Sequence, residues 1–103
     1  MISVGNRHHG DVGIYVGRGT PLGNQFKLKQ QGGTYTREQS LILYREWLRR
    51  EWRLNGNAKA ELLRLAELSK TGNLMLVCSC KPLACHADVI KSAIEGIIRS
   101  QVR

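Results

Sequence analysis

The sequence predicts a small α/β domain: a partly parallel sheet with flanking helices in a Rossmann-like arrangement. Three observations predict it. Short strand patterns are interleaved with three stretches of helical periodicity, two before Leu74 and one after Cys78. The run Leu74-Met75-Leu76-Val77-Cys78 is apolar without interruption, as in a strand buried on both faces of a parallel sheet covered by helices. And 103 residues suffice for one core and are too few for two, which gives a single domain over residues 1–103.

Taken in order, Ile2-Ser3-Val4 reads as a first strand and Ile14-Tyr15-Val16 as a second, closed by Gly17-Arg18-Gly19-Thr20-Pro21. Gln25-Phe26-Lys27-Leu28 alternates in polarity and is expected to form a third. Thr36-Arg37-Glu38-Gln39 has the form of a capping box, in which the Thr hydroxyl and the Gln amide satisfy the first turn. A helix follows, with Leu41, Tyr44, Trp47, Leu48 and Trp52 at helical spacing and Asn55-Gly56 as its stop. At that spacing the tryptophans read as core, with a base-stacking platform as the alternative. Asn57 is expected to cap a second helix through Leu62, Leu63, Leu65, Ala66 and Leu68, ended by Thr71-Gly72-Asn73. After the strand Leu74–Cys78 and a Lys81-Pro82 turn, His86, Val89, Ile90, Ala93, Ile94, Ile97 and Ile98 mark a last amphipathic helix.

Composition narrows the class. No apolar run reaches the roughly 20 residues of a membrane helix, and the first residues lack the apolar core of a secretory signal, so a cytoplasmic protein with no membrane partner is expected. Three cysteines, two of them at Cys78 and Cys80, argue against a disulfide framework. The net charge of +8 suggests a phosphorylated or polyanionic partner. It is spread as +3 over residues 1–35, +3 over 36–70 and +2 over 71–103, so a solvated basic surface and a nucleic-acid face both remain open.

All three cysteines and a histidine fall within Cys78-Ser79-Cys80-Lys81-Pro82-Leu83-Ala84-Cys85-His86. The pattern places them between the carboxyl end of a central strand and the start of a helix, the edge where open α/β sheets bind ligands. A helix N-terminus offers free N–H groups and partial positive charge, which hold anions and lower a thiol's pKa. Cys85 is therefore the candidate thiolate, with Lys81 adding to the effect. The metal reading takes Cys78, Cys80, Cys85 and His86 as four zinc ligands, although C-x-C and an adjacent C-H pair are tighter than the usual knuckles. Inert buried thiols are the third reading. Gly17-Arg18-Gly19-Thr20-Pro21-Leu22-Gly23-Asn24 leaves the second strand through a loop whose amides can wrap a phosphate while Arg18 pairs with it. By itself the signal is weak, and a plain turn is the more common explanation for such a stretch. The order matches neither a P-loop nor a dinucleotide fingerprint.

Several motifs occur in order: Tyr15-Val16-Gly17-Arg18, Leu22-Gly23-Asn24-Gln25-Phe26, Thr36-Arg37-Glu38, Tyr44-Arg45-Glu46-Trp47-Leu48, and Cys78-Ser79-Cys80-Lys81-Pro82 with Cys85-His86-Ala87-Asp88-Val89-Ile90. Together, over about residues 14–95, they resemble a small family of unknown function found in bacteria and their phages. Gln25, Ser79 and Ala87 depart from that pattern, which has Pro, often Trp, and Gly there. The Cys-His step also looks like that of another uncharacterised bacterial family with a nucleotide-binding-type α/β fold. The resemblance implies a phage or mobile-element origin and one shared site containing Gly17, Arg18, Gly23, Asn24, Cys78, Cys80, Pro82, Cys85, His86 and Asp88.

Two functions follow as expectations. In the first, a nucleotide-like or other phosphorylated ligand sits between the Gly17–Asn24 loop, Gly19 included, and the helix start, with Cys78, Cys80 and Lys81 beside it. If hydrolysis or group transfer occurs, Cys85 is the thiolate, His86 the acid or base, and Asp88 orients a partner or binds a ribose hydroxyl. In that reading no cofactor is needed. In the second, a basic, non-enzymatic module with zinc as a possible staple attaches to nucleic acid or a host protein through the arginines of the first long helix.

Overall fold

The computed structural model of the chain describes residues 2–6, 10, 13–17, 19–29, 32–78 and 85–102. Among these, β1 (Ile2–Asn6), β2 (Ile14–Tyr15), α1 (Arg37–Arg53), α2 (Asn57–Lys70), β3 (Leu74–Cys78) and α3 (His86–Val102) follow one another. The sheet order is β1-β3-β2, and β3 pairs in parallel on both sides. The sheet of named strands is thus wholly parallel rather than partly so. Its likeness to a Rossmann arrangement goes no further than parallel strands, of which β2 and β3 are joined through α1 and α2.

β3 is central because its residues tolerate burial everywhere. Leu74, Leu76 and Cys78 alternate onto one face and join Leu62, Leu65, Ile90 and Ile94 in the core. Burying one such side chain completely contributes about 2 kcal/mol. The expected burial of the other face holds at Val77 and lapses at Met75, which is half-buried. α3 packs on β1 and β3, α2 on β3, and α1 against both other helices.

The capping box at Thr36 forms as the sequence predicts, with Gln39 N–H donating to the Thr36 hydroxyl and Thr36 N–H to the Gln39 side chain. α1 ends in a Schellman motif. Asn55 takes a left-handed φ of 56°, Gly56 N–H bonds the Glu51 carbonyl, and Asn55 N–H bonds that of Trp52. This closure shifts the next cap by one residue: Gly56, not Asn57, is the N-cap of α2 and has no side-chain bond to give it. The tryptophans divide. Trp47 packs against the core beside the Tyr44 ring, whereas Trp52 is 37% exposed with the Lys59 ammonium over its face.

Gln25–Leu28 is not a strand. Asn24 Oδ1 accepts the Phe26 N–H and the Ser40 hydroxyl donates to the Phe26 carbonyl, so side chains take the two groups a ladder needs. What remains is a single bridge between Leu28 and Tyr35.

Candidate functional site at the carboxyl edge of the sheet

Parallel strands end on one edge, and here that edge gathers Asn6, Val16 and Cys78. Asn6 and Cys78 are register partners, both buried. Val16 continues β2 by donating its N–H to the Val77 carbonyl at 3.0 Å. The chain then turns at Gly17, whose carbonyl accepts from both the hydroxyl (2.7 Å) and the N–H (3.2 Å) of Thr20. A Cβ at Gly17 would displace the far end of the Tyr15 side chain, and Gly19 holds φ +90°, a conformation that favours glycine.

Leu22 anchors the loop in the core, and its carbonyl accepts the Tyr44 hydroxyl at 2.6 Å. A second turn brings Gly23 N–H to the Thr20 carbonyl. Asn24 spends both ends of its amide on structure, since Nδ2 donates to the Ser40 hydroxyl at 2.8 Å while Oδ1 holds Phe26. Leu22 and Asn24 therefore fasten the loop to α1, while Gly23 closes a turn within it.

From the other side comes the start of α3. Cys85 is its N-cap position, and its N–H donates to the Asp88 carboxylate at 3.1 Å, the N3-to-N-cap half of a capping box. Cys78 and Cys85 are 1% and 2% exposed, with their sulfurs 2.8 Å apart. His86 is buried as well. Its Nε2 lies 2.7 Å from the Val16 carbonyl, and because a carbonyl can only accept, Nε2 carries the proton. Burial pushes the imidazole pKa down; the Val16 carbonyl and the charges of Cys78 and Asp88 oppose this without prevailing. His86 is neutral near pH 7, with Nδ1 as its remaining basic nitrogen.

Tyr44 joins the two sides. Its ring meets the His86 ring edge-on at 5.2 Å, and its hydroxyl holds Leu22. Burial first, and nearby Cys85 second, raise the phenol far above its ordinary range, so it serves as a neutral donor. The sequence marks Tyr44 only as one apolar position of a helix. Its site role, like those of Val16 and Asn6, depends on contacts across the fold.

The structure thus brings Cys78, Cys85, His86 and Asp88 together with Val16 and the start of the Gly17–Asn24 loop. Arg18, Cys80, Lys81 and Pro82 lie outside the described residues. Among the described residues no three His, Cys, Asp or Glu side chains form a metal-binding group, and no helix is long and apolar enough to cross a membrane.

Comparison with known protein families places residues 4–96 in a domain of unknown function, DUF4326. The chain belongs to the DUF4326 family. That span covers both halves of the carboxyl edge, from β1 through most of α3. No curated protein and no solved structure matches the chain. For this DUF4326 domain, then, function rests on its own geometry.

Proposed function

We propose that this DUF4326 domain binds a phosphorylated small molecule, nucleotide-like in its anionic part, at the carboxyl edge of its sheet. One observation carries the reading: the His86–Val16 hydrogen bond joins the first residue of α3 to the residue that opens the Gly17–Asn24 loop. Two polypeptide segments 70 residues apart, a glycine-punctuated loop and a helix start, are fastened to one point. The net charge of +8 favours an anion at any such point.

Chemistry comes second to binding here. Cys85 is sealed against Cys78 and His86 has committed Nε2, so a thiolate attack would require the edge to open. In such a step His86 would serve as a base through Nδ1, not as an acid. Asp88 sets a limit on the anion, because its carboxylate already occupies one N–H of the helix start.

The test is calorimetric titration with nucleoside mono-, di- and triphosphates and with inorganic phosphate, on the wild type and Arg18→Ala. Saturable binding that weakens about tenfold on loss of the guanidinium supports the reading. Absence of any saturable phosphorylated compound, or indifference to Arg18→Ala, overturns it. Metal analysis of the same sample decides the zinc alternative: one bound equivalent, with unfolding on chelation, would make the thiols a structural centre instead.

A further inference from the structure

A groove of about 610 Å³ runs between α1 and α3 over α2, and it shares no residue with the carboxyl-edge site. Its floor is apolar: Leu48, Leu62, Val89 and Ile97 line it. Trp52 and Leu63, two of the large apolar side chains left exposed, stand at its sides. Arg45 and Arg49, one turn apart on α1, form a basic rim. Neither is ion-paired among the described residues.

Gly96 is the second observation. It sits inside α3 and lines the groove, and a Cβ there would meet only the far end of Arg99, at 3.9 Å. Glycine is the least favourable helix residue after proline, and no packing within the described chain calls for it. A glycine in open space on a grooved face instead allows another backbone to approach closely.

We infer that this groove receives an amphipathic helix of a partner protein, apolar on the docking face and acidic along the edge facing Arg45 and Arg49. The mode is helix-in-groove recognition, with Gly96 as the point of closest approach. From Val89 to Gln101 the α3 wall is about 18 Å long, the span of about 12 helical residues. A nucleic acid would pair with the arginines and leave the apolar floor unburied. A second copy of the chain would bring its own charge of +8 and its own arginine rim.

Selection of short helical peptides from a displayed library on the folded protein, followed by titration of the winners, tests this. The winners should be amphipathic and acidic. Gly96→Leu should weaken them about tenfold without lowering the melting temperature, because leucine suits the helix and its Cβ has room. The double variant Arg45→Glu with Arg49→Glu should lose the acidic peptides and accept their lysine counterparts. No enrichment, enrichment of basic or non-helical peptides, or indifference to Gly96→Leu overturns the inference. So does displacement of the peptides by a single-stranded oligonucleotide, or a dimer that Gly96→Leu dissociates.

Discussion

The hydroxyl of Tyr44 donates to the carbonyl of Leu22 across 2.6 Å, and neither residue has measurable exposure. A helix residue thereby fixes the loop that opens the candidate site, while its ring supports His86. Tyr44→Phe keeps the ring and removes the donor, leaving the carbonyl buried and unpaired. The expected cost is about 1–3 kcal/mol, or about 4–8 °C in melting temperature per kcal/mol. Chemical denaturation of the two proteins checks it; equal stability would mean that the carbonyl finds another donor.

His86 supplies a pH prediction. Its folded pKa lies below the unfolded value, so protons bind the unfolded chain first as pH falls. Stability from this residue is full above about pH 6.5 and declines as the pH drops from there toward the folded pKa. His86→Gln retains an N–H donor for Val16 and abolishes the titration. Wild type minus variant, measured from pH 7 to 5, should therefore show stability falling with acid. A flat difference would sink the buried neutral assignment.

Asp88 shares the start of α3 with any anion bound there. Asp88→Asn keeps an oxygen for the Cys85 N–H and drops the charge, and should cost about 0.3–1 kcal/mol of stability through the helix dipole. Its affinity for inorganic phosphate or a nucleotide should rise, most visibly at low salt. Weaker binding by the variant would show that Asp88 contacts the ligand directly.

Ser40 holds the loop to α1 from inside the protein, bonded to Asn24 and Phe26 and only 2% exposed. Ser40→Ala strands an amide and a carbonyl and is expected to destabilise by about 1–3 kcal/mol. Ligand affinity should fall with it, read by titration at a temperature where the variant is still folded.

The thiols permit a direct chemical check. Cys78 and Cys85 are sealed from solvent, so a Cys80→Ser variant should react with an aromatic disulfide reagent only as fast as the fold opens. Rapid labelling of one thiol in that native variant would instead identify a reactive cysteine and restore the nucleophile reading of Cys85.

What the sequence determined by itself was local or periodic. The capping box at Thr36 is written in four consecutive residues, and the stripe from Leu41 to Trp52 repeats with the helix. The unbroken apolar run of β3 announced a central strand, because only a strand paired on both sides buries so many neighbours. Even the placement of Cys85 and His86 at a helix start followed from the pattern on either side. Tertiary structure decided whatever depends on a partner distant in the chain. Gln25–Leu28 alternates like a strand, yet Asn24 and Ser40 take its backbone groups, and Ser40 arrives on another element. Nothing near His86 in sequence names Val16 as its acceptor, and Tyr44 looks like any apolar helix position until Leu22 meets its hydroxyl. A buried polar group must find a partner wherever the fold offers one. That choice is made by three-dimensional proximity, which spacing along the chain does not encode.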